Sequence, residues 1–323
     1  MHGCQDEYTD RSFIIAYNIK KRLCTDGMQP FLLEVGKIAT IGFFDGMHEG
    51  HRYVISQVTG LANQRAVSSV VFTFRNHPAS LFSPKCQPKL LSTAEEKEMM
   101  LYEMKVGNVV MLDFSKELAA TSVEDFLVFI RDGYGVDTLL LGYDNNFGRK
   151  GEETRVPGYY ESVGEKTGVL VKRLEAYGDS SSTKIRKLLD DGDVLEANKR
   201  LLREYTMCGN VVCGYQVGRE IGFPTANISV PPEKLIPKAG VYAAHFTLDG
   251  RQYKSVVNIG TRPTFGRNEI AIEAHVIGFD GDIYNKCVAV GFAVRLRDER
   301  KFGSVEDLID QIKNDVNRAV HLL

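Results

Sequence analysis

The apolar residues of this chain follow two successive patterns, and the change between them limits the folds that the chain can adopt. From Gly36 to about Arg173, short apolar runs alternate with amphipathic helical stretches. This alternation predicts a parallel sheet with helices on both faces. After about Tyr205 the apolar runs follow one another without helices between them, which predicts an antiparallel β-barrel. The sequence therefore predicts an α/β chain built from two different architectures.

The length of 323 residues supports the same division, because a single hydrophobic core rarely serves a chain of this size. A helical connector is predicted from Ser182 to about Tyr205, and the boundary between the domains is placed within it. The predicted domains are residues 1–186 and 187–323. The second is expected to contain strands at 211–213, 240–248, 252–259, 270–277 and 287–297.

Local signals predict where several elements begin. Thr93 and Glu96 have the spacing of a helix capping box. The pair Asp249-Gly250 predicts a tight hairpin turn between two strands. The last helix is predicted to begin at Ser304, with an acidic residue three positions later. Its apolar stripe, which we expect to pack on the barrel, is Val305, Leu308, Ile309, Ile312 and Val316.

Composition excludes several classes of function. The formal net charge is −2, so no extended basic surface indicates nucleic acid. The cysteines, at 4, 24, 86, 208, 213 and 287, form no Cys-x-x-Cys pair and have no histidines at zinc spacing, which predicts free thiols in a reducing compartment. The longest early apolar run, Phe13–Tyr17, is too short for a signal peptide or a membrane span. We therefore expect a cytoplasmic protein that binds neither nucleic acid nor membranes.

A glycine-rich turn after the first predicted strand carries two histidines. Residues 42–51 are Gly-Phe-Phe-Asp-Gly-Met-His-Glu-Gly-His, in which His48 and His51 lie about one helical turn apart. A helix N-terminus favours anions, and imidazoles there can donate hydrogen bonds to a phosphate and stabilise its negative charge. A single histidine is more often structural, but two at this spacing after a strand and an Asp-Gly turn favour a catalytic role.

Two further stretches have the composition of phosphate-binding sites. Residues 181–186, Ser-Ser-Thr-Lys-Ile-Arg, place hydroxyls and an arginine at the start of a predicted helix. Residues 218–227, Gly-Arg-Glu-Ile-Gly-Phe-Pro-Thr-Ala-Asn, combine glycines, which let backbone N–H groups approach an anion, with oxygen ligands that Mg²⁺ accepts. Taken alone, the first would be an ordinary helix N-cap, and the second fits a Gly/Pro turn equally well.

These motifs together resemble those of known enzyme families. Residues 222–227, Gly-Phe-Pro-Thr-Ala-Asn, resemble the signature of riboflavin kinases, and residues 42–51 resemble the nucleotidyltransferase signature of FMN adenylyltransferases. Residues 181–186 resemble the Ile-Ser-Ser-Thr-x-x-Arg element of the latter, with Ser180 in place of its apolar first residue. In this order the signatures resemble bacterial bifunctional FAD synthetases over about residues 36–320. The resemblance implies a Rossmann-like nucleotidyltransferase domain followed by a six-stranded antiparallel barrel with a terminal helix.

The resemblance implies an adenylyltransferase site in the first domain, with His48 and His51 as its catalytic residues. The residues implied to bind ATP there are Gly42, Phe44, Asp45, Gly46, His48, His51, Ser181, Ser182, Thr183 and Arg186. The residues implied to face flavin or adenine are His77, Asp144 and Phe147.

The chain departs from this family in two loops of the first domain. An acidic residue is usual where Arg75 stands, and Asn145 and Asn146 occupy positions where His or Phe and then Arg are usual. The first change adds a positive charge and the second removes one. We hypothesise that the two changes partly compensate, which requires the loops to touch.

The resemblance implies a kinase site in the second domain. The residues implied to bind ATP are Gly218, Gly222, Pro224, Thr225 and Asn227, with Thr225 and Asn227 as Mg²⁺ ligands. Glu273 falls on the polar face of a predicted strand, where a solvated acid would be the ordinary interpretation, but the resemblance makes it the base for the riboflavin 5′-hydroxyl. His275 beside it is interpreted as structural. Arg297 is implied to lie near the flavin, although a solvated arginine at a strand end fits equally well.

The sequence thus predicts a bifunctional enzyme that uses Mg²⁺ and ATP. Riboflavin would be phosphorylated to FMN, and FMN would then be adenylylated to FAD; no oligomer is predicted. One alternative is a riboflavin kinase with a front module that binds nucleotide but transfers nothing. A second is a non-catalytic flavin-binding protein, which would have no need of Thr225, Asn227 and Glu273 together. A different small-molecule nucleotidyltransferase with an unrelated barrel is disfavoured by the kinase signature.

Overall fold

The computed structural model describes residues 36–82, 87–149, 151–214, 218, 221–264 and 267–323. The apolar run Phe13–Tyr17 and the cysteines at 4, 24 and 86 lie outside these residues. The described part of the chain forms two compact units that divide between Ser182 and Thr183. The boundary of the two activities between residues 186 and 187 stays a prediction.

The first unit is built on a five-stranded parallel sheet. Its strands are β1 (Lys37–Ile41), β2 (Ser69–Phe74), β3 (Asn108–Leu112), β4 (Val136–Leu141) and β5 (Leu170–Arg173). They lie in the order β3-β2-β1-β4-β5, and neighbouring strands are parallel. The strands β1 and β2 are buried along their whole length, as expected for strands covered on both faces. The predicted Rossmann-like architecture is confirmed.

Helices connect these strands, and capping side chains begin several of them. The helices are α1 (Glu49–Arg65), α2 (Ala79–Phe82), α3 (Ala94–Glu103), α4 (Lys116–Ala120), α5 (Val123–Tyr134) and α6 (Tyr159–Thr167), with a 3₁₀ turn at Glu153–Arg155. Thr93 and Glu96 form the predicted capping box, with hydrogen bonds of 3.3 and 3.0 Å. Ser122 accepts a hydrogen bond of 3.0 Å from the Asp125 N–H and so begins α5. Such caps stabilise a helix by about 1 kcal/mol each.

The second unit begins with two helices and continues as a closed antiparallel barrel. The helices are α7 (Ser182–Asp191) and α8 (Val194–Leu201). The strands are β6 (Tyr205–Val212), β7 (Ala226–Ser229), β8 (Gly240–Leu248), β9 (Arg251–Thr264), β10 (Arg267–Val276) and β11 (Cys287–Arg297). Around the barrel they follow the order β10-β7-β6-β11-β8-β9. The implied six-stranded barrel is confirmed.

The beginning of the barrel differs from the prediction at two points. The sequence predicts a helical connector through about Tyr205, but Tyr205 begins β6, where it is fully buried and donates a hydrogen bond of 2.6 Å to the Leu235 carbonyl. The strand β7 is absent from the five predicted strands, because its four residues are too few to show an alternating pattern. This short strand contains Asn227, so the missed strand is the one that carries part of the kinase signature.

The predicted turn at Asp249-Gly250 is confirmed. Leu248 and Arg251 are the last paired residues of β8 and β9. The two turn residues have φ values of +48° and +81°, which are those of a type I′ hairpin turn.

The terminal helix, α9 (Val305–Leu322), packs on the barrel through its C-terminal half. The prediction that Val305 packs there is wrong, since this side chain is 54% exposed. Val316 packs on the barrel as predicted, and it joins an apolar cluster with Ala319 and barrel residues. Asp315 is buried beside them in an ion pair of 2.8 Å with Arg297, which fixes the part of the helix that lies on the barrel. None of the helices in the described residues is long and apolar enough to cross a membrane.

Candidate functional sites

A cavity of about 490 Å³ opens where the strands of the first unit end. The loops that follow β1, β4 and β5 line it, and ligands of parallel sheets commonly bind beyond the carboxyl ends of the strands. The predicted site residues that the structure brings together in its lining are Gly42, Phe44, Asp45, His48, His51, Asp144, Ser181 and Ser182. Stretches that are distant in sequence therefore form one site.

His48 and His51 stand at the start of α1. Their rings stack with centroids 3.7 Å apart and planes 23° from parallel. The ring of Phe44 packs edge-on against His51 at 5.3 Å. The Nδ1 atoms of both histidines are buried and have no hydrogen-bond partner. Such atoms are unusual in a folded protein and call for a functional or structural reason.

Burial lowers the pKa of both imidazoles. Desolvation lowers the pKa of His48, although the carboxylates of Asp144, Glu49 and Asp45 oppose this effect. Desolvation lowers the pKa of His51 well below its usual value, and the neighbouring His48 and Lys97 lower it further. Both rings are therefore neutral at pH 7 in the free site. Each neutral imidazole carries one N–H that can donate a hydrogen bond to a phosphate oxygen.

Asp45 anchors the loop between β1 and α1. Its buried carboxylate accepts hydrogen bonds from the N–H groups of Leu91, at 3.2 Å, and Ser92, at 2.9 Å. Its carbonyl oxygen accepts a hydrogen bond of 2.9 Å from the Ser182 hydroxyl. Gly46 follows with a φ of +80°, a conformation that favours glycine. Asp45 thus ties its own loop to the segment at Leu91 and Ser92 and to Ser182 at the cavity.

The predicted phosphate-binding residues at 181–186 are divided between the two units. Ser181 and Ser182 line the cavity of the first unit. Thr183 and Arg186 lie on α7 in the second unit. The hydroxyl of Ser180 donates a hydrogen bond of 2.6 Å to a carboxylate oxygen in the first turn of α1. The structure therefore brings this stretch to the histidine pair as far as Ser182.

The three residues implied to face flavin or adenine lie in different surroundings. Asp144 lines the cavity. His77 packs edge-on against Phe43, with ring centroids 4.6 Å apart. Phe147 is 8% exposed and lies in the hydrophobic core, where its ring centroid is 5.1 Å from that of Tyr160. The aromatic core therefore holds Phe147 away from the cavity lining.

The two loops that depart from the family find their partners locally. Arg75 forms an exposed ion pair of 3.6 Å with Asp113, in the loop after β3. The loop containing Asn145 and Asn146 receives its positive charge from Arg173, which donates hydrogen bonds to three of its carbonyl oxygens. The added positive charge of Arg75 is thus paired with Asp113, and the positive charge missing at Asn145 and Asn146 is supplied by Arg173. The hypothesis that the two loops compensate by touching is not needed.

A buried lysine that no sequence motif indicates lies beside the cavity. Lys97, on α3, is 1% exposed and donates a hydrogen bond of 2.8 Å to the carbonyl oxygen of Phe74. Its Nζ lies 4.1 Å from the ring centroid of Phe43, which lines the cavity. Desolvation lowers the pKa of Lys97 to about 8, and the attraction of Asp45 opposes this shift. A lysine among charged helix residues is ordinarily solvated, so its sequence context carries no sign of this burial.

We predict that Lys97 makes the stability of the first unit rise with pH. Its pKa is about 8 in the folded protein and 10.5 in the unfolded chain, so the unfolded chain binds more protons between these values. The penalty for burying the charge is complete below pH 8 and disappears above pH 10.5, which corresponds to a gain of about 1 kcal/mol from pH 7 to 9. Lys97→Met removes this gain. Denaturant unfolding of the wild type and the variant at pH 7 and 9 measures the free energy of unfolding. The prediction would be contradicted if the wild type gained no more stability than the variant between these pH values.

The second site lies where β7 meets β10 in the barrel. Asn227 pairs directly with Glu273 across the antiparallel ladder, and both side chains are half-buried. The strand neighbours of Glu273, Ile272 and Ala274, are buried, so Glu273 lies on the face opposite the barrel core. Directly opposite residues have Cβ atoms about 5 Å apart. The implied base and an implied metal ligand are therefore adjacent.

His275 links β10 to the loop at residues 222–225, which carries the riboflavin kinase signature. Pro224 has no N–H and stands just before β7, so the ladder does not continue through it. Nδ1 of His275 lies 2.9 Å from the Pro224 carbonyl oxygen, which can only accept, so Nδ1 is the donor. The His275 ring also packs edge-on against Phe223, whose N–H donates a hydrogen bond of 2.8 Å to the Gly218 carbonyl. A Cβ at Gly218 would collide with the Phe223 carbonyl, so the close approach of these two residues requires glycine at position 218.

Arg297 lies on a different part of the barrel. It ends β11, which is three strands from β10 in either direction around the barrel. Its side chain is 17% exposed, and its guanidinium forms the ion pair with Asp315 on α9. The structure thus gives Arg297 a contact that joins the barrel to the terminal helix, and it does not place this residue on the strands of the Asn227–Glu273 pair.

A Rossmann-like unit with a histidine pair at a helix N-terminus, followed by a barrel with an acid opposite an amide, has the candidate sites of a two-domain transferase. A FAD synthetase family model matches residues 33–187, and a riboflavin kinase model matches residues 201–323. Bifunctional riboflavin kinase/FMN adenylyltransferases from Listeria monocytogenes and Bacillus subtilis are 34% and 31% identical, over 87% and 88% of this chain and 91% of each relative. The chain therefore belongs to the bifunctional riboflavin kinase/FMN adenylyltransferase family.

The fold is also similar to that of a solved structure. A crystal structure described as a macrolide-efflux protein from Streptococcus pneumoniae is 29% identical in sequence, with a TM-score of 0.76. The likeness covers 90% of this chain and 95% of that one, so both units have counterparts in a single known chain.

Proposed function

We propose that this protein makes FAD from riboflavin in two ATP-dependent steps. The barrel transfers the γ-phosphoryl group of ATP to the ribityl 5′-hydroxyl of riboflavin, which gives FMN and ADP. The first unit transfers AMP from a second ATP to the phosphate of FMN, which gives FAD and pyrophosphate. The observation that carries this proposal is that each of two compact units contains a site built from a different family signature.

The adenylyl transfer step requires no base, because the attacking FMN phosphate is already anionic. The site must align that phosphate with the α-phosphorus of ATP and stabilise charge on the departing pyrophosphate. His48 and His51 present neutral imidazoles at the N-terminus of α1, where the helix field also favours an anion. Ser181 and Ser182 line the same cavity, and the Ser182 hydroxyl holds the loop before α1 through its hydrogen bond to the Asp45 carbonyl. These groups support His48 and His51 as the catalytic residues.

The phosphoryl transfer step requires a base, because the riboflavin hydroxyl is a weak acid. Glu273 is that base in this proposal, since its carboxylate lies on the polar face of β10. The Thr225 hydroxyl and the Asn227 amide oxygen suit Mg²⁺, which prefers oxygen ligands and is usually held by few protein groups together with nucleotide phosphates. Bound there, Mg²⁺ would offset the negative charge of the transferred phosphoryl group.

The assignment of Asn227 as a metal ligand predicts an altered Mg²⁺ requirement. Asn227→Ala should raise the Mg²⁺ concentration for half-maximal FMN formation by about 10-fold or more. Asn227→Asp, which restores an oxygen ligand and adds a charge, should require less Mg²⁺ than the alanine variant. Initial rates at fixed ATP measure this dependence, and FAD formation from supplied FMN is the internal control. An unchanged Mg²⁺ dependence in the alanine variant would remove Asn227 from the metal site.

Two alternatives make different predictions about products. A riboflavin kinase with a silent front module would form FMN but no FAD. The separate partners of the altered loops, Asp113 for Arg75 and Arg173 for the 142–146 loop, support an intact front module. A non-catalytic flavin-binding protein would form neither product, and it would not require Glu273 opposite Asn227.

Chromatography of flavins distinguishes these possibilities. One reaction starts from riboflavin, ATP and Mg²⁺, and a second starts from FMN, ATP and Mg²⁺. We expect FMN and FAD in the first reaction and FAD in the second. If FMN forms in the first reaction and FAD forms in neither, the protein is a riboflavin kinase alone. If no FMN forms in the first reaction, the kinase assignment is rejected.

The same proposal places the enzyme in the cytoplasm. Within the described residues, the cysteines at 208, 213 and 287 are reduced thiols, which suits a reducing compartment. The net charge of −2 gives no reason to expect nucleic acid as a partner. Riboflavin, FMN and ATP are therefore the proposed partners, and no oligomeric assembly is required by either site.

A further inference from the structure

A single guanidinium organises the loop that follows β4. Nη1 of Arg173, at the end of β5, lies 3.0 Å from the carbonyl oxygens of Gly142 and Tyr143 and 2.8 Å from that of Asn145. Nη2 lies 3.4 Å from Oδ1 of Asn146. Hydrogen bonds from a charged donor are stronger than those between neutral groups. The path of this loop therefore depends on one side chain from a neighbouring strand.

Tyr160, in the hydrophobic core, contacts both the Arg173 guanidinium and the residues that follow the loop. The guanidinium carbon of Arg173 lies 5.3 Å from the ring centroid of Tyr160, within the range of a cation–π contact. Tyr160 is buried, and its hydroxyl donates a hydrogen bond of 3.1 Å to the carbonyl oxygen of Phe147. The side chain of Asn145 also donates to the carbonyl of Ile41, at the end of β1. Arg173 thus lies at the centre of the contacts that hold the loop against the sheet.

This loop forms one wall of the cavity in which we place adenylyl transfer. Its residues Gly142–Asn146 all line the cavity. The Asp144 carboxylate is close enough to His48 to oppose the lowering of its pKa by burial, and both residues line the cavity, so the wall is near the proposed triphosphate site. The ring of Tyr143 is 64% exposed, and a rigid aromatic side chain at the cavity surface suits contact with a planar flavin.

We propose that Arg173 is a positioning residue for adenylyl transfer and holds the 142–146 loop in the shape that receives FMN. This inference rests on the proposed function of the cavity. Arg173 acts through the backbone of the loop and not by touching the reacting atoms. Lysine would replace it poorly, because an ammonium group can neither present a planar fork nor stack on the Tyr160 ring in the same way.

The test compares Arg173→Met and Arg173→Lys with Lys172→Met, which removes the exposed cation next to Arg173 on the same strand. FAD synthesis is measured from FMN and ATP with each substrate varied, and riboflavin phosphorylation in the same preparations reports on the barrel. We expect Arg173→Met to raise the KM for FMN by about 10-fold or more, because displacing a substrate wall by a small distance is costly. Its KM for ATP and its riboflavin kinase rate should stay near those of the wild type. Arg173→Lys should recover only part of the loss, and Lys172→Met should behave as the wild type.

Several results would overturn the inference. They are wild-type kinetics in Arg173→Met, a change in the KM for ATP instead of FMN, and a fall in kcat alone. Full recovery in Arg173→Lys would show that a positive charge is sufficient, and it would overturn the inference that the planar guanidinium is required. A large drop in the unfolding temperature of the first unit, with both KM values affected, would assign Arg173 to general stability. Absence of FAD synthesis by the wild-type protein would instead reject the proposed function of the cavity, and this inference with it.

Discussion

Glu273→Gln should lower the rate of FMN formation from riboflavin by about 10²–10⁴-fold, the usual contribution of a positioned general base. Glutamine keeps the shape of the side chain and its place opposite Asn227 on β7, but it cannot accept the hydroxyl proton. The binding of ATP and Mg²⁺ should change little, because in our assignment those ligands belong to Thr225 and Asn227. The loss should therefore appear in kcat.

The second activity of the chain supplies the control for this variant. FAD formation from supplied FMN should remain at the wild-type rate, because we assign it to the other compact unit. Glu233→Gln, which neutralises an exposed acid of the barrel unit, should leave both activities intact. FMN formation by Glu273→Gln within about 3-fold of the wild type would exclude Glu273 as the base, since general bases contribute far more.

His51→Ala should have the opposite selectivity. Removal of a donor that stabilises developing charge typically costs about 10²–10³-fold in kcat, and we expect FAD formation to fall by this amount. His51 stacks on His48 and packs against Phe44, so its loss also frees His48 from its partner. Riboflavin phosphorylation should continue unchanged, because we assign that reaction to the barrel and neither histidine to its site.

A second variant and a control separate catalysis from packing at this position. His51→Asn retains an N–H donor in a smaller side chain and should recover part of the FAD-forming rate. His321→Ala removes an exposed histidine from α9 and should match the wild type in both reactions. Normal FAD synthesis by His51→Ala would remove the stacked pair from the mechanism. A loss of FMN formation in the same variant would indicate misfolding.

Local signals in the sequence predict the fold well where they act within a few residues. The capping box of Thr93 and the Asp249-Gly250 turn both appear as expected, because each depends on backbone geometry that a few neighbouring residues determine. Prediction fails where tertiary contacts decide. Tyr205 enters a strand because the barrel buries it, and Val305 stays exposed because α9 contacts the barrel further along.

The same distinction applies to the candidate sites. The histidine pair was predictable, since its two members are three residues apart and follow a recognisable turn. Arg173 and Lys97 were not, because their hydrogen-bond partners Gly142 and Phe74 lie 31 and 23 residues away in sequence and meet them only when the sheet assembles. Phe147 is the opposite case. Its position in a family motif implies contact with flavin or adenine, but its ring lies in the hydrophobic core.

The most direct test of the two-step account is to follow labelled phosphorus from ATP into the flavin. With riboflavin and ATP labelled at the γ-phosphorus, label should appear in both FMN and FAD, and cleavage of that FAD should release labelled FMN. With ATP labelled at the α-phosphorus, FAD should be labelled in its AMP half and FMN should carry no label. Label from the α-phosphorus in FMN, or FAD without α-label, would contradict the account.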